Sequence, residues 1–206
     1  MMKTRILLLL FLAFSCAKPS FDPEWTKEQS PETFSAKFET TKGDFEISVT
    51  RKHSPKAADR FYQLVKHGYF DNAIFYRVVE GFVAQFGNTD TLQMKQWRSV
   101  TIADEPVLFA NSRGTISFAR EGKDSRDLEL FINLEDNHKL DTLNFNGVRG
   151  FPAFGRVSKG MKVVESLYAC YGEETMANYE NLYLDRALFY KTYPKLDLIK
   201  KAYLVE

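Results

Sequence analysis

Hydrophobic and polar positions alternate most cleanly over residues 44–51, where Phe45, Ile47 and Val49 are separated by Glu46, Ser48 and Thr50. A period of two marks a strand with one buried face. Residues 34–41 form a similar run, and Lys42-Gly43 makes a short link, so the two read as an antiparallel hairpin. Ser54-Pro55 then carries a helix start, with an N-cap hydroxyl and a proline suited to the first helical position. Ala57, Ala58, Phe61, Leu64 and Val65 follow at helical spacing, and Gly68 ends the run. Strand-like runs recur at 73–79, 82–86, 114–119, 128–134, 152–157 and 202–205, with 100–103 a shorter candidate. Helical spacing returns over 159–169 and 179–191, while 88–111 is weakly patterned. The strands do not alternate with helices. That argues against a parallel doubly wound sheet and for an antiparallel sheet or closed barrel with helices at its ends.

The start of the chain follows a different logic. Lys3 and Arg5 precede a nine-residue apolar run, 6–14, that is too short to span a bilayer. This is the layout of a secretory signal, here residues 1–15. It ends in Leu12-Ala13-Phe14-Ser15-Cys16, which resembles the lipobox of bacterial lipoproteins, with Leu one place further from the cysteine than usual. The resemblance implies a lipid on Cys16 and a place in the cell envelope; the alternative is a plain secretory signal with an incidental cysteine. Residues 16–33, polar and carrying Pro19, Pro23 and Pro31, read as a tether, with Trp25 packing on the domain surface. The remainder, 34–206, reads as one domain.

Composition narrows the classes. The chain has 206 residues, with 28 Lys+Arg against 27 Asp+Glu, a balance that excludes nucleic-acid binding by bulk charge. Apolar residues are 44%, and eighteen Phe with ten Tyr supply a large core. Two cysteines exclude a disulfide scaffold, and Cys170 reads as a buried or idle thiol. His53, His67 and His138 are scattered outside any ligand pattern, so no metal site is expected. Asp104-Glu105 and Glu173-Glu174 read as solvated loop charges, and 121–127 as a charged loop, either a solvated turn or a binding contact.

Local sequence goes further. Phe75-Tyr76-Arg77-Val78-Val79-Glu80-Gly81-Phe82-Val83-Ala84-Gln85-Phe86-Gly87 resembles the central signature of cyclophilins. Arg113-Gly114-Thr115-Ile116-Ser117-Phe118-Ala119, Leu130-Phe131-Ile132-Asn133, Leu140-Asp141 and Phe154-Gly155-Arg156-Val157 resemble later family segments in the same order. The likeness spans about 34–171. It implies a mostly β fold: a closed eight-stranded antiparallel barrel capped by two helices, here with a C-terminal helical extension. It also implies cofactor-free peptidyl-prolyl isomerisation of proline-containing polypeptides. Matched residue by residue, Arg77 would be the catalytic guanidinium. Phe82, Val83, Gln85, Ala119, Arg120, Glu129, Phe131, Leu140 and Phe151 would contact substrate.

Several positions depart from the family pattern. Tyr76 stands for His, Phe86 for Gly, Arg120 for Asn, Lys139 for Trp and Phe151 for His. Glu129 stands where the family has Gln. That acid would either pair with Arg77 and restrain it or accept a peptide N–H. The first possibility keeps open a rival reading, a cyclophilin-fold module that binds proline-containing chains or acts as a chaperone but barely isomerises them. A purely structural envelope lipoprotein is a third.

Overall fold

The computed structural model describes residues 21–88 and 91–205; the signal expected at 1–15 and the lipid site expected at Cys16 lie outside them. Ten strands and six α-helices are described. The strands are β1 (Thr33–Thr40), β2 (Gly43–Thr50), β3 (Ile74–Val79), β4 (Val83–Asn88), β5 (Thr115–Phe118), β6 (Leu130–Asn133), β7 (Asn144–Phe145), β8 (Val148–Arg149), β9 (Ala153–Lys159) and β10 (Ile199–Val205). The helices are α1 (Pro55–Lys66), α2 (Thr91–Trp97), α3 (Lys139–Thr142), α4 (Met161–Glu165), α5 (Asn181–Leu184) and α6 (Arg186–Thr192).

Eight strands make one antiparallel sheet in the order β10-β1-β2-β9-β5-β6-β4-β3. The alternation in β2 does what period two demands: Phe45, Ile47 and Val49 face the core. The sheet is a half-barrel and not the closed barrel expected. Among the described residues its edges, β3 and β10, approach one another at the Ile74–Leu198 bridge, flanked by Phe75 N–H to Asp197 O (3.0 Å) and Ile199 N–H to Ala73 O (2.8 Å). Beyond that point Ile74 and Tyr76 of β3 pack with Leu182, Phe189 and Tyr193 in a second core.

The helical stretch expected over 179–191 is divided into α5 and α6 at Asp185, whose carboxylate accepts the Leu188 N–H (3.0 Å) and caps α6. It is not a terminal extension, because the chain returns to the sheet as β10. The helix expected over 159–169 shortens to α4. Gly160, at φ 80°, precedes it where a Cβ would fall 2.5 Å from the Asp44 carbonyl.

Residues 21–32, read as tether, are docked on the domain. Phe21 and Trp25 pack against the main core, and Trp25 stacks on His67 at 4.0 Å. Gln63 of α1 donates to the carbonyls of Thr26 (3.1 Å) and Glu28 (2.6 Å). Apolar burial and these bonds outweigh the polar composition that suggested a free linker. Cys170 is an exposed free thiol, not a buried one.

Candidate functional site

The β3–β4 hairpin turns through Gly81, at φ 68°, and its register sets Arg77 opposite Gln85. On the other side of β4, Gln85 lies opposite Phe131 of β6. Arg77, Gln85 and Phe131 therefore share one sheet face. Gly87 lets the two strands approach this closely: a Cβ there would meet the Leu128 carbonyl at 2.3 Å.

Every residue matched from the sequence lines a single cavity of about 620 Å³: Arg77, Phe82, Val83, Gln85, Ala119, Arg120, Glu129, Phe131, Leu140 and Phe151. Val83, Phe131, Leu140 and Phe151 form a small apolar cluster separate from the two larger cores, with Phe82 and Ala119 against it. Phe131 meets Phe151 edge to face at 5.9 Å. α3 presents Leu140 to this cluster, and Lys139 lies over the Phe82 ring at 4.8 Å.

The Arg77 guanidinium stands at the polar side, 5.6 Å from the Phe82 ring centre. Nη1 donates to Gln85 Oε1 (3.0 Å). Nε and Nη2 donate to the two carboxylate oxygens of Glu173, at 2.8 and 2.5 Å. Glu173 is thus no idle loop charge. Its hydrogen bonds from Arg77 hold its carboxyl below the usual range, against some burial.

Glu129 takes neither role anticipated for it. Its carboxylate accepts from the phenols of Tyr76 (2.8 Å), Tyr183 (2.5 Å) and Tyr179, and from Arg98 Nη2 (3.0 Å). With four donors its lone pairs are engaged inside the protein. Burial, followed by the Glu129 charge, pushes all three phenols up, so they stay neutral donors. Arg98 is held charged: burial opposes it, but Tyr183 and Asp127 outweigh that. Burial also raises Asp127, with Arg98 opposing.

Arg120 touches the cavity, but its guanidinium serves the scaffold. It donates to the Gly150 carbonyl and to Val148 O (2.9 Å), and it lies 4.3 Å over the Phe151 ring. Burial lowers its pKa.

The sequence reading missed Arg98, Thr101, Phe145, Met176 and Tyr179 as lining residues. Arg98 and Thr101 follow α2 in the stretch read as weakly patterned, which therefore flanks the cavity. Met176 and Tyr179 belong to the segment between α4 and α5, and no local motif marks them. Among the described residues, no group of three or more His, Cys, Asp or Glu is placed to hold a metal ion.

Comparison with known proteins identifies the family and the fold. The family model for cyclophilin type peptidyl-prolyl cis-trans isomerase/CLD matches residues 35–186. The peptidyl-prolyl cis-trans isomerase of Acinetobacter baylyi is 33% identical over 130 residues, covering 62% of this chain and 68% of that protein. Peptidyl-prolyl cis-trans isomerase B of Escherichia coli is 32% identical over 136 residues, covering 63% and 81%. A crystal structure of a Cryptosporidium parvum cyclophilin type isomerase has the same fold, with a TM-score of 0.62 at 20% identity over 84% of this chain and 98% of that one. The same protein in the presence of the dipeptide Ala-Pro gives 0.60. This chain belongs to the cyclophilin type peptidyl-prolyl cis-trans isomerase family.

Proposed function

We propose that this peptidyl-prolyl cis-trans isomerase acts on Xaa-Pro bonds of bacterial envelope proteins, with Arg77 as its catalytic group. One observation carries the assignment of roles: a guanidinium oriented by Gln85 stands in the same cavity as the apolar cluster of Val83, Phe131, Leu140 and Phe151.

The prolyl amide resists rotation by about 18–20 kcal/mol because its C–N bond is partly double. Rotation makes and breaks no bond, so the task is to favour the twisted state over the planar one. In the twisted state conjugation is lost and the nitrogen gains a localised lone pair. A fixed cationic donor beside that nitrogen stabilises it more than the planar amide, whose lone pair is delocalised. Arg suits the role because it stays charged and presents rigid N–H donors. Phe82, Phe131, Leu140 and Phe151 grip the ring, with Val83 and Ala119 filling the wall. Gln85 fixes Arg77 and offers its amide to the peptide backbone. Glu129 acts indirectly, by holding Tyr179 at the cavity wall.

Residues 1–15 serve as an export signal in this reading, and Cys16 carries a lipid that holds the enzyme at a membrane surface. Only the sequence pattern supports that part. Intact mass of membrane-extracted protein tests it, since a diacyl mass on a chain beginning at Cys16 is the expected result. For the site, isomerisation of an Ala-Xaa-Pro peptide is followed by exchange NMR. Activity that collapses in Arg77→Ala while the fold persists is expected; activity that survives unchanged would refute the assignment.

A further inference from the structure

Arg77 has five N–H donors in one plane. Gln85 takes one from Nη1, and the Nε–Nη2 edge is filled by Glu173 in a two-point, charge-assisted pairing. The guanidinium is already oriented without Glu173, by Gln85 and by the Phe82 ring. Glu173 comes from a different part of the chain, the exposed turn before the 3-10 stretch Glu174–Asn178. Gly172 in that turn has φ 48°. The Glu173 side chain is 61% exposed and that of Arg77 18%. The carboxylate therefore reaches inward from solvent onto the residue that must meet substrate. Met176 and Tyr179, a few residues on, line the same cavity.

We propose that Glu173 sets the rate of this isomerase as a tethered competitor, its carboxylate occupying the Arg77 edge that a bound prolyl amide would otherwise use. The inference rests on Arg77 being the catalytic group. It acts in two ways. Two hydrogen bonds must be exchanged before Nε and Nη2 are free, and a paired anion weakens the positive potential felt by the amide nitrogen. Exposure keeps the restraint modest, because the carboxylate regains water when displaced. An exposed pair is worth about 0.2–1 kcal/mol, which bounds the effect at up to about fivefold in rate.

The test uses the full chain and an Ala-Xaa-Pro peptide, with kcat/KM measured by exchange NMR at about 20 mM and about 500 mM salt, where screening differs strongly. Glu173→Gln is compared with wild type, Arg77→Ala and the neighbouring Glu174→Gln. The expected result is a rise of about two- to fivefold in Glu173→Gln at low salt, and wild type rising with salt towards a variant that barely responds. Glu174→Gln leaves the low-salt rate near wild type. An active, Arg77-dependent wild type with Glu173→Gln equal or slower overturns the competitor and leaves the isomerase reading standing. Isomerisation that is insensitive to Arg77→Ala, or absent from every form, overturns both.

Discussion

Replacing Glu105 by Ala should cost far more than the removal of a surface charge. The Ser54 side chain does not cap α1; its hydroxyl donates to Glu105. The Glu105 carboxylate supplies the cap, accepting the N–H groups of Lys56 (2.9 Å) and Ala57 (3.3 Å). It also pairs with Arg126 at 3.0 Å, where the Arg126 side chain is 0% exposed and Glu105 10%. Loss of a cap costs about 1 kcal/mol. Loss of one partner of a buried pair costs about 3–5 kcal/mol, because the other charge stays buried. Arg126 retains the Ala103 carbonyl, which places the second contribution at its lower end. The expected total is about 4 kcal/mol, or a urea midpoint lower by about 2 M at an m-value near 2 kcal/mol/M. Glu105→Gln, which keeps an acceptor but no charge, should fall between the two. The double change Glu105→Leu with Arg126→Met should be less destabilised than Glu105→Ala alone, since no unpaired charge remains. Urea denaturation followed by tryptophan fluorescence measures all three. A loss below about 1 kcal/mol for Glu105→Ala would refute the reasoning and return Glu105 to the status of a solvated loop charge.

Arg77→Ala should lower kcat/KM by about 100-fold or more, the scale for removing one fixed transition-state donor, with the melting temperature little changed. Phe131→Ala removes the centre of the small apolar cluster; about 3 kcal/mol of stability and most proline-peptide affinity should go with it, checked by calorimetry and titration. Glu129→Gln should destabilise the protein by about 1–3 kcal/mol while leaving kcat/KM near wild type, because its partners are Tyr76, Tyr179, Tyr183 and Arg98; a large gain in rate would show that it restrains Arg77 after all. The Asp59 carboxyl is held low by Arg51 and Ser30, which outweigh the opposing effect of its burial. A depressed carboxyl stabilises the fold above its unfolded pKa of about 4, and that contribution fades as pH falls towards the lower folded value. Asp59→Asn should therefore be less stable at pH 7 and lose less stability than wild type between pH 5 and pH 2, as read by chemical denaturation.

The parts legible in the sequence were those governed by short-range rules. Two strand-like runs around Lys42-Gly43, the second with a period of two, marked β1 and β2, and helical spacing after Ser54-Pro55 marked α1. The ordered family segments brought ten residues to one cavity. Long-range choices were not legible. Glu105 and Glu173 sit in loops and look like ordinary surface acids; only folding brings the first to the start of α1 and the second, 96 positions from Arg77, onto the guanidinium. Glu129 looked like a threat to Arg77 because it stands where the resembling family has Gln, and nothing local reveals three phenols and Arg98 arriving from elsewhere. Residues 21–32 looked like a linker because their composition is polar, yet Phe21, Trp25 and the backbone carbonyls met by Gln63 decide their place. The division of the 179–191 helix at Asp185 follows from a capping residue that helical periodicity does not weigh.

The position of β10 has a consequence for biogenesis. This strand pairs along β1, Ser35 opposite Val205, and the chain just before it bridges β3 at Ile74. The β3 edge and β1 are thus linked through a segment that lies far from both in sequence. Until residues 199–205 leave the ribosome, β1 has an open hydrogen-bonding edge, and such edges template aggregation. Contacts this distant in sequence also form slowly, because a long loop must close first. A nascent chain would thus keep its sheet unfinished until β10 emerges. A polypeptide truncated before Ile199 should be caught by chaperones or proteases and not accumulate as a partly active enzyme.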